Sequence, residues 1–204
     1  MTEEEARNWV RDHFDVSRET LLGRYAAILR DESTRQNLIA ASTLDQLWSR
    51  HLVDSAQLVP FAEGQGPWID IGSGAGLPGM VVAIVTDRPV TLIEPRTKRA
   101  DFLRTTAESL GLANVTVVAS RIETHKPSKP AAVISARAVA PLYELFAGAR
   151  HCTDSSTIWL LPKGRNAESE VAATRGAWQG VFHVEPSVTS PDSGIVIARG
   201  VRPK

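Results

Sequence analysis

The run Asp70-Ile71-Gly72-Ser73-Gly74-Ala75-Gly76-Leu77-Pro78-Gly79 constrains the chain more than any other segment. Glycines let a backbone take positive φ and approach a ligand with no Cβ in the way. The loop follows a β-branched stretch at Trp68–Ile71, and Pro78 suits the first turn of a helix. A strand, a glycine loop and a helix in that order form a cradle whose N–H groups favour an anionic or polar ligand group.

The rest of the chain fits that unit. After Pro67, strand-like runs at Trp68–Ile71, Val90–Glu94, Val115–Ala119, Ala131–Ser135, Thr157–Leu161 and Ile195–Ala198 alternate with helical stretches at Pro78–Val85, Thr97–Leu110, Pro141–Arg150 and Ala167–Ala177. Alternation of this kind predicts a doubly wound α/β fold with a mostly parallel sheet and a ligand beyond the carboxyl ends of its strands. Whether the last strands run antiparallel stays open. Before the Glu63-Gly64-Gln65-Gly66-Pro67 boundary the signals are helical: Trp9, Val10, His13 and Phe14, then Leu21, Leu22, Tyr25, Ala26 and Leu29. A third helix is expected from a Ser42/Thr43 cap through Leu47, Trp48, Leu52 and Val59. Residues 1–65 read as an N-terminal helical subdomain and residues 66–204 as the cofactor-binding domain.

Composition narrows the class. Hydrophobic residues at 43% and charged residues at 23% are ordinary for a globular domain. The longest apolar run, Met80–Val85, is far short of a membrane span, and the acidic start Thr2-Glu3-Glu4-Glu5 does not read as a signal peptide, so a cytoplasmic protein without a membrane partner is expected. A single cysteine, Cys152, cannot form an intramolecular disulfide or a thiolate cluster, and no metal site is expected. The net charge is zero, but residues 1–65 carry 11 acids and 7 bases while the remainder carries 12 acids and 16 bases. The basic second part permits a polyanionic substrate without requiring one.

The glycine spacing alone leaves the cofactor open. Gly74-Ala75-Gly76-Leu77-Pro78-Gly79 satisfies the dinucleotide pattern, and Glu94 lies 20 residues after Gly74, where a ribose-binding carboxylate belongs. A nicotinamide-dependent oxidoreductase is therefore one reading. Asp70, where dinucleotide folds keep an apolar residue, and the extra Gly72 favour S-adenosylmethionine, with Glu94 accepting both ribose hydroxyls. The rival for Glu94 is a solvated strand-end charge beside Arg96.

The loop, together with Asn37-Leu38, Arg50-His51-Leu52-Val53-Asp54-Ser55, Lys98-Arg99, Ser120-Arg121-Ile122-Glu123, Ser135-Ala136-Arg137-Ala138-Val139-Ala140 and Lys163-Gly164, resembles the glucose-inhibited division protein B family over nearly the whole chain. The resemblance implies a class I methyltransferase fold and S-adenosylmethionine-dependent methylation of guanine N7 in small-subunit (16S) ribosomal RNA. Its partner would be that RNA or the small ribosomal subunit, with the enzyme acting as a monomer. The alternative is a class I methyltransferase for another RNA or a small molecule. By the same resemblance Gly72 and Leu77 belong to the cofactor loop, Ile122 and Glu123 to the adenine side, and Arg137 contacts the cofactor.

Asp70, Gly74, Gly76 and Glu94 complete the expected cofactor set. Arg137, at a strand end beside the expected transfer site, is the catalytic candidate, through the cofactor carboxylate or an RNA phosphate, with a structural ion pair as its rival. Lys98, Arg99, Arg121, Lys163 and Arg165 are the RNA-phosphate candidates. His51 and Asp54, three apart, are expected to pair on one helix face and anchor the helical subdomain. Methyl transfer to N7 removes no proton, so no general base is expected, and positioning carries catalysis.

Overall fold

The computed structural model describes residues 1–204. The chain opens with α1 (Glu3–Phe14), whose Thr2 and Glu5 form a reciprocal capping box, and α2 (Val16–Glu32), capped by the Asp15 carboxylate. The expected third helix is not continuous. A 3₁₀ stretch at Ala41–Gln46 leads into a π-type turn at Trp48–Leu52 and the short α3 (Val53–Ala56). Ser42 and Thr43 do not cap it. Thr43 Oγ1 donates to Ala40 O instead, and the Glu3 carboxylate on α1 takes the free N–H groups of Trp48 and Ser49.

The sheet carries seven strands in the order β3-β2-β1-β4-β5-β7-β6. They are β1 (Trp68–Ile71), β2 (Val90–Ile93), β3 (Val115–Val118), β4 (Val133–Ala136), β5 (Ile158–Lys163), β6 (Trp178–Pro186) and β7 (Gly194–Pro203). The first five run parallel, and β7 pairs antiparallel with both β5 and β6. Crossover helices α4 (Gly79–Val85) and α5 (Thr97–Leu110) follow β1 and β2, while α6 (Leu142–Ala149) and α7 (Ala167–Thr174) follow β4 and β5. The doubly wound fold is as expected, and the question of the last strands is settled as antiparallel.

Side chains alternate along each strand, so the two faces have separate cores. Trp68, Leu92, Val133 and Leu160 pack with α1 to α5, whereas Ile69, Ile134, Trp159 and Leu161 pack with α6 and α7. Residues 1–65 share the first core with α4 and α5. The order in which strands are added reverses between the parallel neighbours β1 and β4, which opens a crevice above their carboxyl ends. No helix is long and apolar enough to cross a membrane.

Candidate active site

The glycine loop occupies that crevice. Gly72, Gly74 and Gly76 all take left-handed φ, at +64°, +55° and +93°. Their roles differ. A Cβ on Gly74 would meet nothing nearer than 3.7 Å, but one on Gly72 would lie 2.7 Å from Val139 Cγ2, and one on Gly76 would lie 2.8 Å from both Met80 Cβ and Tyr25 Oη. Tyr25 of α2 donates its hydroxyl to Ala75 O at 2.6 Å, so the first helical layer clamps the loop from behind. Gly79 leaves room for Asp70, whose Cβ and Oδ2 would stand 2.6 and 2.8 Å from an added Cβ.

Three residues expected to bind the cofactor thus lie behind the loop. Gly76 and Leu77 are buried in the helical core. Asp70 is fully buried and lines neither cavity described below. Trp68 Nε1–H donates to Ser135 Oγ at 2.8 Å, and Ser135 Oγ–H donates to Asp70 Oδ1 at 2.6 Å, which ties β1 to β4 beneath the crevice. Asp70 Oδ2 has no partner, and burial pushes the carboxyl up to about 6. Asp70 shapes the loop from inside because β1 is buried on both faces, and Gly76 because Met80 and Tyr25 close against it.

Two cavities flank Val139. One, of about 530 Å³, has an apolar floor of Ile71, Ile93 and Ile122, and Gly72, Arg96, Arg121 and Glu123 also line it. Gly72, Ile122 and Glu123 therefore line one cavity, and Arg121, expected as a phosphate candidate, lines it with them. Glu94 is not a solvated strand-end charge. It is 3% exposed, and its two carboxylate oxygens accept the backbone N–H groups of Gly74 at 2.9 Å and Arg96 at 2.8 Å. A carboxylate has about four acceptor positions, so each oxygen keeps one for a further donor.

The second cavity, of about 630 Å³, is lined by His51, Asp54, Arg137, Lys163, Glu170 and Thr189 among others, and shares Val139 with the first. Ala138 takes a left-handed φ of +55°, unusual for a residue with a Cβ, and so turns the chain between Arg137 and Val139. Arg137 Nη1 donates to Asp54 Oδ2 at 3.1 Å, and Nη2 lies 3.2 Å from His51 Nδ1. The pairing of His51 with Asp54 expected from their spacing does not form; both turn to Arg137, His51 from the π-type turn and Asp54 from α3. Burial, then the Arg137 and Arg50 charges, hold His51 down at about 4.

The phosphate candidates are scattered. Lys163 Nζ donates to Glu170 and to Ala140 O, both at 2.9 Å, while Arg165 pairs with Asp192 and is mostly exposed. Arg99 donates to Asn37 O at 3.1 Å and so holds the early chain over Gly74; Lys98 is exposed at the start of α5. Val139, Arg96, Glu170 and Thr189 were not anticipated. The last two reach the site from α7 and from the β6–β7 connection, distances in sequence that carry no local signal.

The family described as "GidB: rRNA small subunit methyltransferase G" matches residues 18–193. A protein named Ribosomal RNA small subunit methyltransferase G from Rhizorhabdus wittichii is 52% identical, the match covering 100% of this chain and 95% of that one. Its namesake from Zymomonas mobilis is 44% identical over 100% and 96%. Among solved structures, a SAM dependent methyltransferase from Aquifex aeolicus superposes with a TM-score of 0.62 at 15% identity, covering 83% of this chain and 98% of that one. A point mutant of MtNAS in complex with S-adenosylmethionine gives 0.60 at 16% identity, over 96% and 83%. At such identities the two structures speak for the fold alone, and it is a methyltransferase fold. The nicotinamide reading, which rested on glycine spacing, has no support left, and the full-length sequence matches carry the conclusion that the chain belongs to the small-subunit ribosomal RNA methyltransferase G family.

Proposed function

We propose that the protein transfers the methyl group of S-adenosylmethionine to N7 of a guanine in small-subunit (16S) ribosomal RNA. The observation that carries this reading is the pair of cavities meeting at Val139: one apolar-floored beside the glycine loop, the other polar and arginine-lined. The residues fit the cofactor. Ile71, Ile93 and Ile122 suit the faces of an adenine, Glu94 has acceptor capacity left for ribose hydroxyls, and the open side of Gly72 and Gly74 suits the amino acid portion. Arg137 is suited to a carboxylate.

When bound, the cofactor supplies an electrophilic methyl on a sulfonium. The protein's own work is positioning. Guanine N7 has a lone pair and no proton to lose, so no side chain need accept a proton, and alignment of N7 with the methyl can supply up to ~7–11 kcal/mol. His51, held neutral, is not required as a base. Lys163 places a further positive charge at the larger cavity, where an RNA phosphate or the guanine O6 would be received. We assign residues 1–65 as the layer that braces the loop, through Tyr25, and the cavity wall, through His51 and Asp54. The reaction so written needs one copy of the chain and no metal or membrane.

The test is transfer of a labelled methyl to small-subunit RNA and to intact subunits, with mass mapping of the digested nucleosides. Label in 7-methylguanosine at one site supports the reading. Label on another atom or base, or none on either substrate, overturns it.

A further inference from the structure

Every hydrogen-bond partner of the Arg137 guanidinium comes from the segment Arg50–Asp54, although Arg137 itself follows β4. Nη1 donates to Asp54 Oδ2 at 3.1 Å and to Arg50 O at 3.5 Å, and Nη2 lies 3.2 Å from His51 Nδ1. A guanidinium offers only donors, so His51 Nδ1 must be the acceptor and the ring's proton sits on Nε2. Nε2 is 2.8 Å from Thr43 Oγ1, whose hydroxyl donates to Ala40 O at 2.8 Å. Each hydrogen is thereby assigned along Arg137, His51, Thr43 and Ala40, and the chain works only with a neutral imidazole.

Asp54 is fixed from its other side. Its Oδ1 accepts from Gln57 Nε2 at 3.0 Å and from Thr189 Oγ1 at 3.1 Å, and Gln57 Oε1 accepts Val188 N–H at 2.9 Å. The segment Arg50–Asp54 thus grips the guanidinium directly, and the β6–β7 connection, distant in sequence, fixes Asp54 from behind. Arginine has five N–H donors. The three bonds above leave Nε–H and one N–H of Nη2 without a partner, on a side chain that is 19% exposed at the larger cavity.

We propose that His51 and Asp54 are positioning residues that hold the guanidinium of Arg137 so that its two unpartnered N–H groups meet the carboxylate of the cofactor's amino acid portion. The helical segment before the sheet thereby sets a contact made from the sheet. The inference rests on S-adenosylmethionine as the ligand. A guanidinium already fixed loses less rotamer freedom on binding than a free one, which is why the holders should matter for affinity.

Two probes separate this role from plain stabilisation of the fold. S-adenosylhomocysteine carries the carboxylate, and 5′-methylthioadenosine shares its adenosine and thioether but lacks the amino acid portion. By calorimetry, His51→Phe and Asp54→Ala should each weaken S-adenosylhomocysteine at least tenfold and leave 5′-methylthioadenosine within twofold. His51→Gln, whose amide oxygen can accept from Arg137, should recover most of the loss. Thr43→Val removes only the acceptor beyond the ring and serves if His51→Phe melts early; it should cost two- to threefold, again for S-adenosylhomocysteine alone. Equal weakening of both probes, or undiminished binding of S-adenosylhomocysteine, overturns the positioning role. Failure of the parent protein to bind either probe would instead refute the cofactor assignment on which it rests.

Discussion

Replacing Asp70 by asparagine keeps the outline of the side chain and removes its charge, and the structure sets how stability should respond. Asp70 is fully buried, Oδ1 accepts one hydroxyl from Ser135, and Oδ2 accepts nothing. Burial raises the carboxyl from 3.8 to about 6, outweighing the hydrogen bonds and the Arg137 charge that lower it. The folded protein therefore holds this proton more tightly than the unfolded chain does. Its contribution to stability is full below pH 3.8 and is lost as pH rises through about 6. The gap between 3.8 and about 6 corresponds to a loss of about 3 kcal/mol. For a domain of this size that is roughly 6–12 °C in melting temperature.

The substituted amide would not titrate, but its N–H would lack an acceptor where Oδ2 now stands, at ~1–3 kcal/mol whatever the pH. The observable is therefore the difference in unfolding free energy between Asp70→Asn and the parent, followed from pH ~4 to ~8. That difference should move in favour of the variant by about 2–3 kcal/mol across the window, and the constant penalty of the amide subtracts out. Urea unfolding monitored by tryptophan fluorescence measures it directly. A difference that stays flat within about 0.5 kcal/mol would show that the carboxyl is hydrated or paired in the folded state, and the account of the buried link between β1 and β4 would fail.

Gly76→Ala should destabilise the protein by at least ~1–3 kcal/mol through contact with Met80 and Tyr25, whereas Gly74→Ala, with nothing nearer than 3.7 Å, should lose less than half as much. Equal losses in urea unfolding would place the tight packing elsewhere. Single-turnover methyl transfer at saturating RNA and cofactor should vary less than about threefold from pH ~7 to ~9, because no base is needed and both His51, at about 4, and Asp70, at about 6, have already titrated. A limb of slope one in that window would require proton transfer in the reaction and abolish the base-free scheme.

Local signals made much of this molecule legible. Trp68–Ile71 and Thr97–Leu110 are strand and helix at the residues their patterns indicate, since β-branched runs and a 3.6-residue apolar period act within one element. The glycine loop was readable because left-handed φ demands glycine wherever the loop happens to lie. β6 was not readable. Only Trp178 and Phe182 of its nine residues are buried, and the irregularity between Gln179 and Val181 breaks the alternation that marks a strand. The segment from Ser42 to Val59 has a helical period, yet the Glu3 carboxylate and the Thr43–His51 bond bend it into three short turns.

Direction was the other thing sequence could not supply. Asp70, Gly76 and Leu77 carry motif identities, but which side of the loop each faces depends on Tyr25, Leu92 and Ser135 packing against it from three other elements. Arg137 reads as a strand-end cation in either case. Only the tertiary structure decides that His51 and Asp54, more than 80 residues earlier, take its guanidinium, because their approach depends on how a helical layer seats on a sheet and not on any spacing along the chain.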